Sequence, residues 1–236
     1  MKIQNQTKSH SHSWSRTHGT HKHTPTPTPM KKYINWAVDL ALVLVTLWGA
    51  VNNGFLTIET LMSFLGVAGV ILIAYGRQEN FLFNIVQNIL NVIVSSKSKL
   101  FGDAAMAIYY LGTQLFGYDI WRKHRGKDGH LITDNRTDWS VVTAAVLIGG
   151  VALGGISYVL GGTYIILDAF NNSTAIVAQY LQIIKRKRSG WLLWAATNIV
   201  GVYIWFGVAQ PQIAIMYFVF TVNSLRGYIN WNQLSK

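Results

Sequence analysis

The chain contains no cysteine, which excludes disulfides, thiol catalysis and cysteine-ligated zinc or iron–sulfur centres. Charge is also scarce. Only 12% of its 236 residues are Asp, Glu, Lys or Arg, about half the share of a soluble domain. No GxxxxGKS or GxxxxGKT phosphate loop is present, so ATP does not drive the chain directly. The apolar segments hold no HExxH, no Ser/His/Asp set and no cluster with metal-ligand spacing, and all seven histidines lie outside them. No lysine sits deep in an apolar run, which removes a retinal Schiff base. The chain therefore reads as a non-enzyme that needs neither a metal nor another cofactor.

What it does have is apolar length. Half of its residues are hydrophobic, and from Tyr33 onward long apolar runs alternate with short polar joints, the pattern of membrane-spanning helices. Eight runs stand out, at about 33–52, 57–76, 81–96, 103–121, 140–161, 164–184, 191–207 and 211–231. At 1.5 Å per residue they suit a ~30 Å hydrocarbon core, the third and seventh being short. The reading is an all-α integral membrane protein. An even number of crossings puts both termini on one side. With that side cytoplasmic, 17 of the 20 Lys and Arg residues fall in inner segments; Lys97 and Lys99 lie outside and Arg226 within the last run. This obeys the positive-inside rule and orients a multi-pass protein of the cell (inner) membrane. It also accounts for the net charge of +11 without nucleic acid.

Residues 1–32 are polar, His-rich and punctuated by proline. They lack the apolar core of a signal peptide and read as an unstructured tail. In the fifth run Gly150 and Gly154 form a GxxxG spacing, which lets another helix approach closely.

The sequence also repeats. Residues 80–121 align without gaps to 190–231, an offset of 110, with matches that include Asn88/Asn198, Gly117/Gly227, Tyr118/Tyr228 and Trp121/Trp231. Four runs separate the copies, so both have the same orientation, as in transporters built from parallel repeats. This predicts a first three-helix bundle at 57–121, a linking helix at 140–161, a second bundle at 164–231 and an extra N-terminal helix at 33–52. Substrate sites in such proteins lie near the midplane, between the repeats.

Two polar faces fit that position. Asn84, Gln87, Asn88 and Asn91 stand at offsets of 3, 4 and 7, one stripe of a helix. Four amides need partners that lipid does not supply. Trp191, Trp194 and Asn198 share a face of the seventh run, which the repeat sets against the first. Amides opposite indoles suit a flat aromatic ligand with polar substituents, and a cationic ring gains cation–π attraction. Tyr110 and Gln114 on the fourth run and Gln179 on the sixth are secondary candidates. Asp39, Asp119 and Asp168 read as pairing or capping groups. For Trp191 the competing reading is a membrane-surface anchor, because it directly follows KRKRSG.

The stretch LDAFNNSTAIVAQYLQIIKRKRSGWLLWAATNIVGVYIW resembles the PnuC family of vitamin transporters, whose WxxWxxxN pattern stands here as Trp191, Trp194 and Asn198. The polar third run and the GYxxW endings also resemble that family. The resemblance spans about 57–231 and implies two parallel three-helix bundles joined by one helix, related to the SWEET porters. It implies facilitated uptake of nicotinamide riboside, trapping by a cytoplasmic kinase, and a homotrimer. It places Trp191, Trp194 and Asn198 on the substrate, with Gln87, Asn88 and Asn91. Relatives that take thiamine, riboflavin or deoxynucleosides keep sister specificities open. A non-transporting membrane receptor or partner subunit, with the His-rich tail as its working element, is the rival from another class.

Overall fold

A computed structural model describes residues 29–97, 101–159, 165–207 and 211–234. Among them every regular element is helical: α1 (Pro29–Asn53), α2 (Ile58–Ala74), α3 (Asn80–Lys97), α4 (Phe101–Lys123), α5 (Trp139–Val159), α6 (Ile165–Gln179), α7 (Ser189–Gly207) and α8 (Pro211–Leu234). One helix falls on each apolar run. Residues 1–28 of the predicted tail lie outside the described residues, but its last four do not: α1 begins at Pro29, not Tyr33. Proline suits a helix start, where its missing N–H has no intrahelical acceptor. Two helical stretches, Met30–Asn52 and Trp139–Val159, are by themselves long and apolar enough to cross a membrane.

Consecutive helices α2, α3 and α4 pack together, as do α6, α7 and α8. Helix α5 lies against α6, and α1 covers α2 and α8. The glycine stripe of α5 makes its contact possible. A Cβ at Gly150 would stand 2.5 Å from the Phe170 ring, while Gly154 faces Ala169. Beside them Ser173 Oγ donates to the Val146 carbonyl at 2.9 Å. The outward faces of α5 and α7 are apolar and exposed, with Ile148, Val151, Tyr158, Ile199 and Tyr203 among the most accessible. Contiguous surface of this kind suits lipid rather than water.

Positions 110 apart take matched places. Phe81 meets Trp121 edge to face at 5.1 Å, and Trp191 meets Trp231 in the same way at 5.7 Å. Both of the rings at 81 and 191 lie over a glycine, Gly117 and Gly227 respectively. Trp121 Nε1 donates to the Ile183 carbonyl at 2.9 Å, and Trp231 Nε1 to the Ile73 carbonyl at 2.8 Å. Each indole thus reaches from the last helix of one triplet to the end of the first helix of the other. With Ala74 and Leu131 these side chains form the main apolar core.

Gly76, at φ +66, ends α2 in a conformation that favours glycine. Helix α6 ends differently. It widens into a π-helical turn at Tyr180–Ile184, closed by the Lys187 amide on the Leu181 carbonyl at 2.8 Å. Residues 124–138 then strap the basic joints together. The Leu131 amide bonds the Gly76 carbonyl, Thr133 Oγ1 the Trp231 carbonyl, and the Asp134 amide the Arg186 carbonyl. Asp134 also pairs with Lys187 at 3.1 Å. Burial alone would raise the Asp134 carboxyl. The Arg136 amide and the Lys187 ammonium together outweigh it and hold the group below its ordinary value.

Candidate functional site

Above the tryptophan core lies a cavity of about 380 Å³, within the usual range for small-molecule sites. One wall is α3. Asn84 and Asn88 are buried and line it with Gln87 between them. Asn88 Nδ2 donates to the Asn84 carbonyl at 2.8 Å, a bond along the helix that keeps the amide on the cavity face. Asn91 shares the stripe but is not among the lining residues. It stands about 4.5 Å further along the axis than Asn88, beyond the cavity's reach.

The facing wall is α7, with Trp191, Trp194 and Asn198. Trp191 is 4% exposed, so its indole is no surface anchor in this fold. It packs flat over Gly227, where a Cβ would stand 2.5 Å from the ring. Trp194 donates from Nε1 to Gln182 Oε1 at 3.1 Å, and its ring lies 6.1 Å from that of Tyr110. Asn198 Nδ2 donates to Ser224 Oγ at 3.2 Å, and that hydroxyl donates onward to the Phe220 carbonyl at 2.8 Å. From α4, Tyr110 and Gln114 complete this side.

The structure adds lining residues that the sequence pattern does not single out. Gln182 follows Gln179 by three positions and joins it because both face inward across the π turn. Tyr217, Phe220, Asn223 and Ser224 come from α8. The one available signal was the repeat, which sets Asn223 and Ser224 opposite Thr113 and Gln114. Gln179 Nε2 bonds Thr113 Oγ1 at 2.9 Å, tying α6 to α4 behind the cavity. The three aspartates lie elsewhere: Asp39 pairs with Arg226, Asp119 with Arg122 at 2.8 Å, and Asp168 accepts from Asn172 at 3.1 Å.

Among the described residues, none that lines it is charged. Three buried polar atoms of the lining have no hydrogen-bond partner among the described residues: Gln114 Oε1, Gln182 Nε2 and Trp191 Nε1. Leaving such an atom unpaired costs about 1–3 kcal/mol. One acceptor and two donors are thus left unpaired in residues of a wall that is otherwise a mixture of aromatic, aliphatic and amide side chains. A second cavity of about 520 Å³ adjoins the first across Val70, Asn84, Gln87 and Phe220. It extends between α1 and α2 toward the end away from the strap, where Glu59 lines it.

The family model described as nicotinamide mononucleotide transporter matches residues 56–233. The chain belongs to the PnuC family. It is 28% identical over 206 residues to the nicotinamide riboside transporter PnuC of Haemophilus influenzae, covering 84% of this chain and 90% of that one. With the nicotinamide riboside transporter PnuC of Neisseria mucosa it shares 30% identity over 185 residues, 72% of this chain and 70% of the relative. Its fold is similar to the crystal structure of the vitamin B3 transporter PnuC, with a TM-score of 0.71 at 25% identity, over 89% of this chain and 93% of that chain. The family model begins after α1, so the cavity lies inside the matched region and the covering helix outside it.

Proposed function

We propose that the chain is a membrane carrier that takes up nicotinamide riboside by facilitated diffusion through the cavity between α3 and α7. The observation that carries this reading is the lining, which is aromatic and amide-rich and has no charged side chain. A pyridinium ring stacks on the indoles of Trp191 and Trp194 with cation–π gain. Carboxamide and ribose groups meet the amides of Asn84, Gln87, Asn88, Gln114 and Asn198. A mononucleotide brings a phosphate, and no lysine or arginine lines the cavity to receive it. The same neutrality supports uncoupled transport, since the lining contains no group that titrates near neutral pH. Glu59 in the adjoining cavity favours the approach of a cation.

The matched tryptophan contacts support two parallel three-helix bundles, 57–121 and 164–231, linked by α5 and preceded by α1. The eight helices then span the inner membrane with the basic strap and both termini in the cytoplasm. A cytoplasmic kinase traps the product, and the carrier assembles as a homotrimer.

Calorimetry on the purified chain tests this. Nicotinamide riboside is expected to bind, its mononucleotide at least tenfold more weakly, and Trp194→Ala and Asn198→Ala to lose most of the affinity. Heat with thiamine or a deoxynucleoside but none with the riboside would move the reading to a sister specificity. Loss of function on removing residues 1–28 would favour a receptor instead.

A further inference from the structure

The charge pair closest to the cavity is not in its wall. Arg226 on α8 has a side chain 3% exposed, and a cation so buried is not tolerated unpaired. Its countercharge is Asp39, from α1. The same Nη1 donates to the Asn35 carbonyl at 3.0 Å, and the Tyr75 hydroxyl holds the Asp39 carboxylate at 2.7 Å. The other arm of the guanidinium points toward the site: Nη2 donates to Asn223 Oδ1 at 2.6 Å. Asn223 is 2% exposed and lines the cavity.

An arginine has only donors, so the Asn223 atom it touches is the oxygen. This fixes the amide's sense, which is otherwise ambiguous for asparagine. The Asn223 nitrogen makes no hydrogen bond to another described residue. It is therefore the group Asn223 offers the cavity.

We propose that Asp39 and Arg226 are positioning residues that hold Asn223 with its amide N–H directed at the ligand, so that helix α1 sets recognition in a cavity it does not line. The ligand group matched to this donor is an uncharged acceptor oxygen, of a carboxamide or a hydroxyl. Arginine is needed because its planar fork serves the carboxylate and the amide at once, which a lysine ammonium does not reproduce. Asp39 lies outside the segment 56–233 that the family model matches, whereas Arg226 and Asn223 lie inside it. The proposal rests on the cavity being the riboside site.

The test is riboside affinity and thermal stability of the full chain carrying Asn223→Ala, the paired change Asp39→Leu with Arg226→Met, all three together, and Arg226→Lys alone. Replacing a buried ion pair by apolar residues of similar size is often neutral or stabilising, so the pair separates packing from positioning. Asn223→Ala and the pair are each expected to weaken binding about three- to tenfold. The triple variant should be no weaker than Asn223→Ala, because the relay acts only through that residue. Arg226→Lys should keep the melting temperature near that of the parent and lose affinity by a similar factor. Parental affinity in either Arg226→Lys or the stable pair overturns the relay while leaving the transport reading intact. So does a triple variant whose loss is the product of the separate ones. Absence of riboside binding by the unaltered chain overturns both.

Discussion

The two tryptophan bonds at the strap end look alike, yet their removal should cost different amounts. Trp121 and Trp231 are both fully buried, so Trp→Phe deletes a similar volume at each and opens a similar void. The acceptors differ. The Ile73 carbonyl receives the Trp231 indole and also the Gly76 amide at 2.9 Å. The Ile183 carbonyl ends the π turn, and among the described residues the Trp121 indole is its donor, with no backbone amide beside it. Trp231→Phe therefore removes one of two bonds and loses about 0.5–1.5 kcal/mol of hydrogen bonding. Trp121→Phe strands a buried carbonyl, at about 1–3 kcal/mol. The packing loss is common to both and cancels in the comparison. The excess of about 1 kcal/mol corresponds to roughly 2–4 °C in melting temperature for a chain of this size. Thermal unfolding of the two variants in one detergent, followed by intrinsic fluorescence, measures the difference. Equal losses, or a larger loss for Trp231→Phe, would refute the account of the carbonyls.

Two further outcomes are expected. Gly227→Ala sets a methyl group 2.5–2.7 Å from the Trp191 ring; it should destabilise by about 1–3 kcal/mol and weaken riboside binding. Gly112→Ala in α4 meets nothing within 4 Å and should be neutral or stabilise by about 0.5–1 kcal/mol, so matching melting curves for the two would sink the packing argument. The Asp134 carboxyl is held below its ordinary value, so its stabilisation is complete above about pH 5 and fades as pH falls below roughly 4. Hydrogen exchange of residues 130–136, corrected for intrinsic rate, should show protection at pH 6 that is reduced at pH 3.5. Asp134→Asn should flatten that difference, and unchanged protection in the parent chain would count against the pin.

Much of the fold was legible because lipid removes alternatives. A segment without water must satisfy its own backbone, and a long apolar run does so as a helix. Each of the eight apolar runs carries one helix. The amide stripe was legible for the same reason: Asn84, Gln87 and Asn88 share a face at helical spacing, and burying that face among other helices avoids exposing it to lipid. Asn91 has the same spacing but not the same depth. Angular position follows from the sequence, whereas the length of a cavity depends on where neighbouring helices cross.

Tertiary structure alone decided the rest. Which segments are helical, which of their faces are polar and that two parts of the chain resemble each other could all be read from residue order, because these are properties of residues close in order or of the chain compared with itself. Residue order did not reveal that Trp191 lies inward over Gly227, that Gln182 turns into the cavity on a π-helical turn, or that Arg226 finds Asp39 187 residues away. Each of those outcomes depends on how helices far apart in sequence approach and cross. A glycine that admits an indole, or a buried cation that requires a carboxylate, takes its meaning from the helix that arrives opposite it.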